Sequence, residues 1–150
     1  MQSSAFSSMA KEFGRIILPT DGSDEAKKAM EKAIFLASHL DINVVAMFVV
    51  DMSHLSRFPV EIMPSSIYEF LQKEALSCLN EVEKMGKRMG VKVTKKIVEG
   101  IPYEEIVREA RKNDLIVMGN KGMTALDRIF LGSVAEKVVR HAPCTVMICK

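Results

Sequence analysis

The residues whose types and spacing suggest chemistry lie in one stretch near the carboxyl terminus. The segment Met118–Gly122 is followed by nine residues and then by Gly132 and Ser133. Glycines let backbone N–H groups approach a phosphate because no Cβ stands in the way. The stretch follows an apolar segment and ends where a helix is predicted to begin, and the first N–H groups of a helix bind anions. The spacing therefore indicates a phosphate cradle. Gly119 alone would also suit a turn, and Gly132 a positive φ.

Three side chains in the same stretch add charge or a hydroxyl group to that cradle. Lys121 and Arg128 can neutralise anionic oxygens, and Ser133 can donate a hydrogen bond. Each also has a purely structural interpretation, which stays open at this point. Ser133 and Glu136 match the S-x-x-E capping box, in which the serine caps its own helix. Lys121 and Arg128 would, in their structural interpretation, be solvated surface charges.

A second polar group follows the first apolar segment of the chain. Thr20–Ser23 has turn composition, and Asp21 is the carboxylate directly after the first predicted strand. Asp21 would either support the turn or bind a ribose hydroxyl or a metal, and both interpretations stay open. Ser23 is the predicted N-cap of the next helix, because Asp24 and Glu25 suit a first helical turn.

The elements that must position these groups follow from hydrophobic periodicity. Strands are predicted at 15–19, 43–50, 91–98, 115–118 and 144–149. Helices are predicted after Ser23, at about 67–89, from Pro102, and at 133 to about 141, and a connection of 16 residues spans 51–66. Alternating strands and helices imply right-handed parallel crossovers and helices on both faces of one sheet. The sequence therefore predicts an α/β fold.

Length, charge and composition narrow the class of protein further. A chain of 150 residues suits one domain, placed here at 14–150 after a flexible tail at 1–13. The tail lacks a cationic segment followed by an apolar one, so a signal peptide is not expected and the protein is predicted to be cytoplasmic. A net charge of +2 gives no indication of nucleic acid or membrane binding. The 3 cysteines and 3 histidines lack metal-ligand spacing, so reduced thiols are expected.

Several catalytic motifs are missing from the sequence. It contains no G-x-x-x-x-G-K-[ST] and no G-x-G-x-x-G after the first strand, so neither a P-loop nor a dinucleotide motif is present. No Ser/His/Asp or Cys/His set and no paired carboxylates are evident either. These observations argue against an efficient hydrolase.

Taken together, the motifs resemble those of the universal stress protein family. The resemblance rests on Gly119-x-x-Gly122, nine residues, and Gly132-Ser133, and it covers 14–149. Further matches are ILPTDGS at 17–23, FVVD at 48–51, VEGIP at 98–102, DLIVMG at 114–119, LGSVAE at 131–136 and HAPC at 141–144. The family resemblance implies an open, Rossmann-like, five-stranded parallel sheet in the order 3-2-1-4-5. In that order the Asp21 turn and the glycine stretch would face each other across one crevice.

The resemblance also implies a ligand. Family members with this glycine motif bind ATP, so ATP together with Mg²⁺ is the expected ligand. The strand-one residues would line the adenosine, with Asp21 near the ribose, and Val49 would meet adenine through its backbone. The stretch 118–122 would wrap the ribose and phosphates, and 132–134 would hold the phosphate tail. The full expected set is Pro19, Thr20, Asp21, Val49, Met118, Gly119, Asn120, Lys121, Gly122, Arg128, Gly132, Ser133 and Val134.

Three functions are compatible with these features. The first is an ATP-binding stress-response or signalling switch with slow hydrolysis or none. The second is a slow ATPase or nucleotidyl-transfer enzyme that uses Mg²⁺ and Asp21. The third is a dimeric interaction module that binds AMP or a cyclic nucleotide. The family resemblance implies a homodimer formed through the last strand, 144–149, and the uncharged apolar character of that strand favours the same pairing.

Overall fold

Strands and helices alternate along the whole described chain. The computed structural model describes residues 12–51, 53, 65–121 and 131–150. Within these ranges the elements are β1 (Arg15–Pro19), α1 (Asp24–Leu40), β2 (Asn43–Asp51), α2 (Ser65–Met89), β3 (Val93–Gly100), α3 (Pro102–Glu109), β4 (Asp114–Gly119), α4 (Ser133–His141) and β5 (Thr145–Cys149). The predicted order of elements is confirmed. Residues 1–11 of the predicted tail and most of the connection at 51–66 lie outside the described residues.

The start of β3 differs from the sequence prediction for a clear reason. The strand begins at Val93, two residues later than predicted. Gly90 has a φ of 70°, and the Val91 N–H donates to the Gly86 carbonyl at 2.8 Å. That bond is the one that closes a helix through a left-handed glycine. Val91 therefore completes the end of α2 and is not available for the sheet.

All five strands are parallel and lie in the order β3-β2-β1-β4-β5. The predicted order is confirmed. The central strand β1 pairs with β2 on one side and β4 on the other, with Ile17 opposite both Val45 and Ile116. The connections turn in opposite directions on the two sides of β1. A crevice therefore opens between β1 and β4 at the carboxyl ends of the strands.

Each face of the sheet carries its own hydrophobic layer. Ile16 and Leu18 point to the layer packed under α1 and α2, whereas Ile17 points to the layer under α3 and α4. This alternation is the two-residue period of a strand. Fully buried strands with helices on both faces explain why β1, β2 and β4 are apolar almost throughout. Among the helices of the described ranges, none is long and apolar enough to cross a membrane.

A network of charges occupies the amino ends of β1 and β4. Arg15 donates from Nε to Asp114 Oδ1 at 2.9 Å and from Nη1 to Glu109 Oε1 at 2.9 Å. The Lys96 ammonium lies 2.7 Å from Glu109 Oε2, and the Arg111 N–H donates to Asp114 Oδ2 at 2.7 Å. Burial raises the pKa of Glu109, but hydrogen bonds from Lys96 and Arg15 outweigh it, and the net pKa is lowered. Every charge in this network has a partner, so it acts as an internal clasp.

Candidate functional site

A cavity of about 500 Å³ opens at the carboxyl ends of β1, β2 and β4. Its volume lies within the range of small-molecule sites. The predicted site residues that line it are Pro19, Thr20, Asp21, Val49, Met118, Gly119, Asn120, Lys121, Gly132, Ser133 and Val134. The structure therefore brings together every predicted site residue that it describes. Gly122 and Arg128, also predicted, lie outside the described residues.

The turn after β1 is held by its own side chains. Asp21 Oδ1 accepts the Ser23 N–H at 2.9 Å, and Thr20 Oγ1 accepts the Gly22 N–H at 3.3 Å. Ser23 Oγ accepts the Ala26 N–H at 3.1 Å, so the predicted N-cap of α1 is confirmed. The Asp21 carboxylate does support the turn, and the same residue lines the cavity.

The two described glycines of the motif are required by close packing of the chain. A Cβ on Gly119 would lie 2.9 Å from the Glu25 carbonyl carbon, in the first turn of α1. A Cβ on Gly132 would lie 2.7 Å from the Asn120 oxygen. Gly132 has a φ of −61°, so the interpretation that it serves a positive φ is wrong. Both glycines allow the walls of the cavity to come together.

The amino terminus of α4 forms one end of the cavity. Gly132 is the N-cap and no side chain caps the helix, so the capping-box interpretation of Ser133 is wrong. Ser133 is already the first helical residue. The first backbone bond runs from the Glu136 N–H to the Gly132 oxygen at 2.9 Å. The N–H groups at 133–135 precede it, and all three residues line the cavity. Such uncapped N–H groups are donors suited to an anion.

Lys121 lies beside this helix start. The residue is half-buried, and its Nζ is buried without a hydrogen-bond partner in the part of the chain that the structure describes. The preceding residue, Asn120, is only 8% exposed. The Asn120 N–H donates to the Cys149 oxygen at 3.0 Å, and its carbonyl accepts the Gly132 N–H at 2.8 Å. The backbone of Asn120 therefore joins the ends of β4 and β5 to the start of α4.

Most of the other residues that line the cavity are apolar, and two, Asp51 and Glu74, carry carboxylates. Lining residues that the sequence did not identify are Ala26, Met47, Phe48, Val50, Asp51, Leu71, Glu74, Pro102, Ile106 and Ala135. Leu71 lies within the helix predicted at about 67–89, and an apolar residue in such a helix equally suits the hydrophobic core. Asp51 could have been identified by its position, because it ends a buried strand. No sequence pattern identifies Glu74, because an exposed glutamate on a helix is ordinary.

All three cysteine thiols of the chain have raised pKa values. Burial raises the pKa of Cys78, and the nearby carboxylates Glu81, Glu74 and Asp21 raise it further. Burial likewise raises the pKa of Cys144 and of Cys149. A raised pKa keeps a thiol protonated and poorly nucleophilic. Within the described ranges, no group of three or more His, Cys, Asp or Glu is placed to hold a metal.

Fold and cavity define a single-sheet α/β protein with a ligand crevice at its switch point, and comparisons identify the family. The sequence model of the universal stress protein family matches residues 12–150. Universal stress protein MJ0531 of Methanocaldococcus jannaschii is 44% identical over 140 residues, which cover 92% of this chain and 82% of that protein. The solved structure of hypothetical protein MJ0577 has a TM-score of 0.78 and 31% identity, covering 93% and 96% of the two chains. The chain belongs to the universal stress protein family.

More distant structures of the same fold carry nucleotides. A universal stress protein in complex with cAMP is 24% identical, with a TM-score of 0.64, covering 91% of this chain and 95% of that one. The universal stress protein from Archaeoglobus fulgidus in complex with dAMP is 21% identical, with a TM-score of 0.66, covering 92% and 98%. At these identities the likeness shows the shared fold.

Proposed function

We propose that this protein binds ATP with Mg²⁺ in the cavity and acts as a nucleotide-dependent stress-response or signalling switch in the cytoplasm. The observation that carries the proposal is the start of α4. Its uncapped N–H groups at 133–135 line the same cavity as Lys121, so donors and a cation converge on one end. Across the switch point, Asp21 offers a carboxylate to ribose hydroxyls. A ligand with an anionic tail and a neutral sugar fits this arrangement.

The individual roles are those that the family resemblance implies, and the described residues that would carry them line the cavity. Pro19–Asp21 would line the adenosine, and the backbone at Val49 would meet adenine. The segment 118–121 would wrap the ribose and phosphates, and 132–134 would hold the phosphate tail; Gly122 and Arg128 are proposed to assist. The ligands named for relatives of this fold, cAMP and dAMP, are adenine nucleotides and support the proposal.

A charge substitution at the helix start tests the proposal. In calorimetric titration with ATP and Mg²⁺, the wild type should bind saturably. Ser133→Asp should weaken binding by about tenfold or more, because it repels phosphate while suiting a helix N-terminus. Asn113→Asp, an exposed position at the amino end of β4, makes the same charge change and should leave affinity unchanged. A wild type without affinity for ATP, or a Ser133→Asp protein that binds normally, would contradict the proposal.

Hydrolysis is proposed to be slow or absent. Asp21 Oδ1 already accepts the Ser23 N–H, which commits that oxygen to the turn. The competing enzyme interpretation predicts steady release of phosphate or AMP that Asp21→Ala abolishes while ATP binding survives. The competing interaction-module interpretation predicts that AMP or a cyclic nucleotide displaces ATP at equal concentration. Product release and competition titrations on the same protein separate the three.

Pairing of two chains along β5 is proposed as the assembly. The strand lies at the end of the sheet order, and Thr145 is exposed while Val146–Ile148 is half-buried. An apolar edge strand is a template for another strand. Light scattering should give twice the chain mass of 16.7 kDa. A monomer mass at micromolar concentration would contradict the pairing.

A further inference from the structure

Lys121 lines the cavity, and the described part of the chain leaves its ammonium group without a partner. Its Nζ is buried and has no hydrogen-bond partner among the described residues. Among the described ion pairs, Lys121 takes part in none. Burying an ammonium without a partner is costly, and lysines that are buried are normally paired. The arrangement is therefore incomplete until an anion arrives.

The backbone places this lysine against the helix start. A Cβ on Gly132 would lie 3.3 Å from the Lys121 Cα, so the two chain segments are in direct contact. The lysine and the uncapped N–H groups at 133–135 consequently belong to the same end of the cavity. An anion bound there would supply a partner to the ammonium and to the helix together.

Three carboxylates line the cavity as well, from elements on the other side of the switch point. They are Asp21 after β1, Asp51 at the end of β2, and Glu74 on α2. Asp21 and Glu74 are close enough together for both to raise the pKa of the Cys78 thiol. The cavity thus has a cationic end and a carboxylate-bearing end. A ligand with its charge confined to one terminus is matched to this division.

From these observations we infer that Lys121 is the residue by which the site discriminates between nucleotides according to the charge of the phosphate tail. The inference rests on the proposed function and deepens it. Affinity should rise from adenosine through AMP to ATP, because each added anionic oxygen gives the ammonium a better partner. A cyclic phosphodiester carries a single negative charge and should bind less tightly than ATP. Lys121 is therefore a specificity-determining residue.

The unpaired ammonium should favour ATP binding but lower the stability of the ligand-free protein. Without ligand, an unpartnered buried charge destabilises the fold. Lys121→Met shortens the unbranched side chain by one heavy atom and removes the charge, so it should raise the urea midpoint of the ligand-free protein. The same substitution should weaken the binding of ATP. A lysine that served only packing would not show this reversal.

The test is a titration of wild type, Lys121→Met and Lys121→Arg with adenosine, AMP, cAMP and ATP, the last with Mg²⁺. Lys112→Met is the control, because Lys112 is exposed between α3 and β4 at the opposite end of the sheet. We expect Lys121→Met to lose about 10- to 100-fold in ATP affinity, which is the value of a charge-assisted hydrogen bond. Adenosine affinity should change less than about twofold. Lys121→Arg and Lys112→Met should keep the wild-type ranking.

Each contrary result has a distinct meaning. A wild type that binds ATP, with a folded Lys121→Met that binds it equally, overturns the role of Lys121 and leaves the proposed function standing. A wild type that binds no nucleotide overturns the proposed function and this inference together. A lower urea midpoint for ligand-free Lys121→Met overturns the inference, because the ammonium would then be stabilising.

Discussion

The two ends of the sheet differ in whether a buried charged side chain has a partner. At the amino end, Asp114 is 3% exposed and accepts hydrogen bonds from Arg15 and from the Arg111 backbone. At the carboxyl end, the Lys121 ammonium is buried without a described partner, and α4 begins without a cap. The same physics applies at both ends. The charges of the clasp are thus satisfied within the chain, whereas the Lys121 ammonium beside the cavity has no partner among the described residues.

The largest effect should come from breaking the amino-end clasp. Asp114→Ala leaves Arg15 without its main partner, and breaking a buried pair by removing one member costs about 3–5 kcal/mol in the free energy of unfolding. Urea denaturation measures this loss, and Glu31→Ala, on the exposed face of α1, should change stability by less than about 0.5 kcal/mol. ATP affinity of the folded fraction should be unchanged. An Asp114→Ala protein with the same free energy of unfolding as the wild type would show that the clasp does not stabilise the fold.

Glycines offer the next comparison between the two ends. Gly132→Ala places a Cβ 2.7 Å from the Asn120 oxygen, a backbone atom that cannot move aside. Such overpacking lowers the free energy of unfolding by about 1–3 kcal/mol. It should also weaken the binding of ATP, because α4 is displaced. Gly14→Ala is the matched control, since its Cβ meets only the Asn113 oxygen at 3.8 Å. Thermal unfolding and titration should show loss in the first variant and neither loss in the second.

Acid should weaken the amino end through Glu109. Its pKa lies below the ordinary 4.5, so its contribution to stability is complete above the unfolded-state pKa. That contribution is lost as the pH falls through the lower folded-state pKa. In urea unfolding between pH 6 and pH 3, at about half-unit steps, the wild type should lose stability more steeply than Glu109→Gln. Parallel curves for the two proteins would show that Glu109 is not part of the acid response.

The smallest effect should distinguish the two helices that begin at the cavity. Ser23→Ala removes the cap of α1 and should cost about 1 kcal/mol. Ser133→Ala removes no capping bond and should cost no more than a few tenths of that, about 0.3 kcal/mol. For ATP affinity we expect the reverse order, with Ser133→Ala the weaker binder. Equal losses of stability would show that Ser133 does cap α4.

The sequence was informative wherever a feature depends on near neighbours. Apolar periodicity placed the strands and helices of the described ranges, although β3 begins two residues later than predicted. Turn composition with acidic residues placed Ser23 as an N-cap, which the structure confirms. The strand order came from the family resemblance rather than from periodicity. The amino-end clasp was not predicted, since Arg15 and Asp114 are distant in sequence and meet only when β1 pairs with β4.

Features set by distant contacts or by backbone angles were missed. The S-x-x-E pattern does not distinguish an N-cap from the first helical residue, because the distinction lies in the dihedral angles at Gly132. Gly119 was attributed to a turn or a phosphate, whereas its neighbour is Glu25 on α1. Glu74 reaches the cavity only because α2 packs along its rim. Whether the lining residues bind a nucleotide remains a prediction for the titrations above.

One backbone residue ties the proposed pairing edge to the anion end of the cavity. Asn120 is joined to Cys149 in β5 by one hydrogen bond and to Gly132 at the start of α4 by another. Any coupling that Asn120 carries between the proposed pairing and the proposed nucleotide binding must be reciprocal, because a coupling free energy acts equally on both equilibria. If paired chains hold the nucleotide more tightly than single chains do, the nucleotide must tighten the pairing by the same factor.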